Sequence, residues 1–106
     1  MALVKAFSKN DLAPGQVRRV EVQGRQIAIA NCDGTFYALD DRCSHEDASL
    51  AEGGVVQDPK CGCAIECPLH GARFDLKTGA ALTPPATRPV KPYPVRVEGD
   101  DVLVEI

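Results

Sequence analysis

The dominant period of apolar positions along this chain is two, the repeat of a strand with one covered face. In VRRVEV (residues 17–22), Val17, Val20 and Val22 stand among charged residues. RQIAIA (25–30) and TFYAL (35–39) are rich in β-branched, aromatic or small apolar residues, and Asp33-Gly34 lies between them. Asp-Gly suits the left-handed backbone positions of a tight hairpin, so the pattern predicts a strand pair there. The theme returns late in the chain with YPVRV (93–97), a turn at Gly99-Asp100-Asp101, and VLVEI (102–106). Eight prolines and nine glycines interrupt every stretch long enough for an extended helix. The one helix-like candidate is a single turn near residues 8–12, which Ser8 is placed to cap. There is no internal repeat and no low-complexity linker. The pattern predicts an all-β fold, an antiparallel β-sandwich or partial barrel.

Composition changes that picture in the middle third. Residues 41–85 hold both histidines and four of the five cysteines, with Gly53-Gly54, Gly62, Gly71, Gly79 and Pro84-Pro85. Loop chemistry between two β-rich ends predicts a site-bearing subdomain inserted into the β framework. At 106 residues, the chain is expected to form a single domain over 1–106. A net charge of −3 argues against the basic surface that nucleic acid or an anionic membrane requires, so neither is expected as a partner. The apolar run at residues 2–4 is too short for a secretion signal, and residues 27–30 are strand-sized, so a soluble cytoplasmic protein is expected. In a reducing compartment, five cysteines read as metal ligands or buried thiols rather than a disulfide framework. Two histidines set the tightest limit: a site that uses both leaves none for acid–base catalysis.

Two short motifs carry the chemistry. Cys43-Ser44-His45 is a C-x-H and Cys67-Pro68-Leu69-His70 is a C-x-x-H, with 21 residues between His45 and Cys67. Each offers one thiolate and one imidazole from a tight turn, and the residues between form a strand or hairpin that returns the chain. Gly71 lets the backbone approach the site closely. A tetrahedral Cys₂His₂ zinc site is one reading, but zinc spacing usually groups like ligands. Here each half mixes them. In this the sequence resembles the Rieske-type ferredoxins, which hold a [2Fe–2S] cluster with two cysteines and two histidines. CSH at 43–45 and CPLHG at 67–71 match the two ligand boxes, and ARFDLKTGAALTPPAT resembles the strand, turn and proline loop that follow. The resemblance covers most of the chain. It implies the Rieske fold with its inserted cluster-binding subdomain. It also implies that Cys43 and Cys67 hold the buried iron, and His45 and His70 the outer iron. Such an oxidised cluster is neutral, whereas four thiolates would make it a dianion. Adding an electron is therefore easier, and histidine ligation raises the potential.

Departures from the family set further expectations. High-potential members carry an extra cysteine in each ligand loop and bridge them, but Ala48 and Leu69 stand at those positions here. Their serine and tyrosine donors to sulfur are replaced by Ala72 and Phe74. Donors to sulfur favour the reduced state, so a low potential is expected, near the bottom of the Rieske range at roughly −150 mV. Cys32 reads as a small hydrophobe on a strand. Cys61 and Cys63 have no family counterpart and read as thiols at a hairpin tip or as a redox or metal-binding pair. Glu46, Asp47 and Glu52 suggest an acidic rim or ordinary solvated charge, and Pro84-Pro85 a loop over the cluster. The resemblance implies a non-enzymatic one-electron carrier. A flavoprotein ferredoxin reductase would feed it, and a terminal aromatic ring-hydroxylating oxygenase would receive the electron. A monomer is expected. The alternatives are a Rieske ferredoxin serving iron–sulfur assembly, a subunit like that of nitrite reductase, and a zinc-stabilised interaction module.

Overall fold

The computed structural model describes residues 3–41, 49–58, 62–67, 72–82 and 89–106. Among these are ten strands: β1 Leu3–Ser8, β2 Val17–Val22, β3 Arg25–Cys32, β4 Thr35–Asp40, β5 Gly54–Asp58, β6 Gly62–Glu66, β7 Arg73–Asp75, β8 Pro92–Tyr93, β9 Val95–Glu98 and β10 Asp101–Glu105. They form three antiparallel sheets, ordered β1-β10-β9, β2-β3-β4-β8 and β5-β6-β7. The Asp33-Gly34 turn joins β3 to β4 with both residues at positive φ, 50° and 95°, as a tight hairpin requires. The Ser8 cap forms: its hydroxyl accepts from the Asn10 N–H at 3.4 Å, and a 3-10 turn runs over Lys9–Asp11.

The central sheet is covered on both faces. Ala28, Ala30 and Leu39 pack toward β6 and β7 with Leu50, Ile65, Cys67 and Phe74. Their neighbours Ile27, Ile29 and Ala38 pack on the opposite side with Phe7, Val102 and Val104. Alternate residues of β3 therefore point into two different cores, so IAIA is a continuous apolar run rather than an alternating one. This stacks the β5-β6-β7 sheet, which leads into Cys67, on one face of the framework.

Two elements differ from the sequence reading. YPVRV does not form one strand. Pro94 has no N–H for a ladder, and the chain changes sheets there: β8 pairs with β4, and β9 pairs with β10. β1 was not signalled by the alternation. It pairs along β10, with an irregularity between Lys5 and Phe7. No helix among the described residues is long and apolar enough to cross a membrane.

Candidate metal centre

Of the four expected ligands, Cys67 is described; Cys43, His45 and His70 lie outside the described residues, as do Glu46, Asp47, Ala48, Leu69 and Pro84-Pro85. Cys67 follows β6 directly, is 1% exposed, and sits in an apolar shell with Leu50, Ala72 and Phe74. Its N–H donates to the Ala72 carbonyl at 2.7 Å, closing the stem of the segment that carries CPLHG. One step back along the hairpin, the Arg73 guanidinium donates from Nε to Glu66 at 3.0 Å. The Leu82 N–H donates to the Arg73 carbonyl at 2.8 Å, so the chain leading toward Pro84-Pro85 leaves from the same stem.

The first ligand box is bracketed by Asp41 and Ser49. Asp41 is buried, and its carboxylate accepts from the Ser49 hydroxyl at 2.5 Å and the Ala51 N–H at 2.9 Å. Its carbonyl accepts from the Leu50 N–H at 2.5 Å, and Arg19 lies 3.9 Å from its carboxylate. The chain then forms a 3-10 turn over Leu50–Glu52, with Leu50 fully buried beside Cys67. Gly53 comes next, packed so closely on the Glu66 carbonyl that a Cβ would collide with it. Backbone contact at Gly53 thus ties the exit of the first segment to the residue before Cys67.

The cysteines outside the ligand set correct the sequence reading. Cys32 is not an isolated small hydrophobe; it is disulfide-bonded to Cys63, 31 residues away, with the Cα atoms 6.2 Å apart. Cys63 lies within β6, not at the hairpin tip, and Cys61 lies outside the described residues. The physical reason is side-chain parity. Cys32 shares the β3 face of Ala28 and Ala30, and Cys63 shares the β6 face of Ile65 and Cys67, so the two point into one core. The preference for thiols over disulfides rests on a reducing compartment and on the odd cysteine count, and neither bears on this facing geometry. The parity signal was present in the sequence; which sheets would face each other was not.

Comparison with known proteins gives this scaffold its family. The family model for the Rieske [2Fe-2S] domain matches residues 2–94. The chain belongs to the Rieske [2Fe–2S] domain family. This Rieske protein is 41% identical over 105 residues to the biphenyl dioxygenase ferredoxin subunit of Pseudomonas sp. strain KKS102, covering 99% of this chain and 93% of that one. Its structure resembles the ferredoxin of carbazole 1,9a-dioxygenase from Nocardioides aromaticivorans IC177, with a TM-score of 0.90, 34% identity, and coverage of 98% and 97% of the two chains. It also resembles a chain in a complex of reduced oxygenase and oxidised ferredoxin in carbazole 1,9a-dioxygenase, with a TM-score of 0.87, 36% identity, and coverage of 96% and 91%.

The cofactor is a Rieske-type [2Fe–2S] cluster, and the protein is an electron carrier rather than an enzyme. The described residues fit that group. A cysteine at the end of a strand, shielded by Leu50, Ala72 and Phe74, suits a thiolate ligand kept from water. Sequence reasoning missed Asp41, whose carboxylate anchors the exit of the first ligand segment. A carboxylate just before C-x-H carries no motif, and its partners become visible only where the chain returns.

Proposed function

We propose that this protein is the ferredoxin component of an aromatic ring-hydroxylating dioxygenase system. In this role it takes one electron at a time from a flavoprotein NAD(P)H reductase and delivers it to the terminal oxygenase. The observation that carries the reading is the end-to-end likeness, 41% identity over 105 residues, to a dioxygenase ferredoxin subunit. The likeness to a ferredoxin in complex with its oxygenase supports the second half of the route. The proposed ligands are Cys43 and Cys67 on the inner iron and His45 and His70 on the outer iron. When bound, the cluster supplies a reversible one-electron couple.

The chain's own residues have separate tasks. Leu50, Ala72 and Phe74 exclude water around the Cys67 sulfur. Ala72 and Phe74 have no side-chain donor, so they give the sulfurs no help in carrying the negative charge of the reduced state, and the potential sits low in the Rieske range. The two imidazoles, as proposed ligands of the outer iron, would offer the path to a docked partner. Exposed Glu52, with Glu46 and Asp47 in the first segment, would supply an acidic rim that makes docking salt-sensitive. In this reading the protein works in the cytoplasm as a monomer and docks its two partners in turn.

The test is reconstitution. NADH, a dioxygenase-system reductase and the protein are mixed under anaerobic conditions, and reduction is followed by visible absorbance, then reoxidation on adding a terminal oxygenase. Reduction within seconds, lost in His45→Ser and His70→Ser, is the expected result. A colourless protein carrying stoichiometric zinc, or one that no such reductase reduces, contradicts the proposal.

A further inference from the structure

We propose that Cys32 and Cys63 form a second redox centre. It is a two-electron dithiol/disulfide couple that fastens the β5-β6-β7 sheet to the central sheet and is opened by a dithiol reductant. The inference stands on geometry and does not depend on which oxygenase the protein serves. The disulfide joins the last residue of β3 to β6, two strands that belong to different sheets. Its Cα separation of 6.2 Å lies within the range a disulfide spans without backbone movement. The loop it closes, residues 32–63, contains the whole first ligand box, so the bond tethers that segment at a point remote from the Asp41 stem.

The surroundings of the two sulfurs differ, and the difference gives the exchange a direction. Cys63 is buried at 8% exposure, whereas Cys32 is only partly buried, so an incoming thiolate reaches the Cys32 sulfur. As its sulfur bonds to Cys32 Sγ, the Cys32–Cys63 bond breaks and the electron pair leaves on Cys63 Sγ. The Gln57 side-chain amide donates from Nε2 to that sulfur at 3.5 Å, supporting the negative charge that develops there. Cys63 then takes a proton from water. The second thiol of the reductant attacks the mixed disulfide, releases Cys32 as a thiol, and closes the reductant's own disulfide. Two electrons and two protons have passed from the dithiol to the protein, and a disulfide oxidant such as oxidised glutathione reverses the step. The exposed Asp33 carboxylate lies within 4.8 Å of both sulfurs. It repels an anionic thiolate, so exchange is slow and the pair acts as a latch rather than as a turnover catalyst. In a thiol-reducing compartment a bond of this kind is transient, and its state follows the thiol poise.

The experiment uses the holoprotein, with the cluster's visible spectrum recorded throughout. Protein alkylated at lysis is digested without reduction and its linked peptides are identified by mass spectrometry. Thermal midpoints are measured after poising in oxidised glutathione, in dithiothreitol, and in a phosphine reductant. The expected result is a Cys32–Cys63 linked peptide in the oxidised sample. With it should come a fall in midpoint of about 5 °C or more on reduction, reversed on reoxidation while the cluster spectrum is retained. Cys32→Ser and Cys63→Ser should sit at the reduced midpoint and show no response. A linked peptide involving Cys61 instead, a midpoint that ignores both reductants, or a metal ion held at Cys32 and Cys63 with no linked peptide would each overturn the proposal. The wild-type arms decide the matter even if a serine variant fails to fold.

Discussion

Asp41 works at the scale of single hydrogen bonds. Its buried carboxylate gathers the Ser49 hydroxyl and the Ala51 N–H, and so fixes where the first ligand segment ends. Asp41→Ala would strip two donors of their acceptor at a buried site, a loss of about 1–3 kcal/mol. The expected outcome is a lower thermal midpoint and faster bleaching of the visible cluster bands on warming, measured side by side on wild type and variant. Tyr93 gives a pH prediction of known sign. Burial pushes its phenol above the ordinary value near 10; the Asp40 carboxylate, which accepts from the hydroxyl at 2.7 Å, adds to the shift, and the Arg25 guanidinium opposes it. The fold prefers the neutral phenol. The stability this lends is complete below pH about 10 and drains as pH rises through the raised value. Denaturant titrations at increasing alkaline pH should show that loss, and Tyr93→Phe should remove Tyr93's share of it. At this scale the sequence was partly legible. Cys67 could be singled out because C-x-x-H-G is a metal-ligand spacing that can be read without knowing the fold. Asp41 and Tyr93 could not, because their roles depend on residues 8 to 68 positions away.

Secondary-structure elements were legible where turn chemistry marked them. VRRVEV, the Asp33-Gly34 hairpin and the final strand appear where the pattern placed them, because a positive-φ turn fixes register independently of packing. The failures share one cause, which is that a neighbouring sheet decides the outcome. YPVRV splits because two different sheets claim its halves on either side of Pro94. Cys32 pairs with Cys63 because a second layer faces β3. Gly53 is constrained within a single sheet. Its neighbour Gly54 pairs with Glu66, so the backbone that a Cβ would strike is held in the ladder and cannot withdraw cheaply. Gly53→Ala is expected to destabilise the fold by about 1–3 kcal/mol, read in urea unfolding, with a larger effect on cluster retention than an alanine at exposed Gly15.

At the scale of the whole molecule, three stacked sheets separate two jobs. The β1-β10-β9 and β2-β3-β4-β8 layers form a rigid base with its own core. The β5-β6-β7 layer carries Cys67 and the stem of the second ligand segment, with the exit of the first segment packed against it. That division was foreseeable from composition, since ligands, glycines and prolines crowd into residues 41–85. How the layers stack was not: the continuous apolar run of β3 marks a strand covered on both faces but does not say which sheets cover it. A carrier built this way should change little in structure between oxidation states, as one packed core joins the β5-β6-β7 layer to the central sheet. The central claim is that an electron resides on a cluster with mixed cysteine and histidine ligation, and electron paramagnetic resonance of the dithionite-reduced protein tests it most directly. The predicted result is one unpaired spin per two irons, with an average g value below that of all-cysteine [2Fe–2S] ferredoxins. An average g matching the all-cysteine type, or a silent and colourless protein holding zinc, would contradict it.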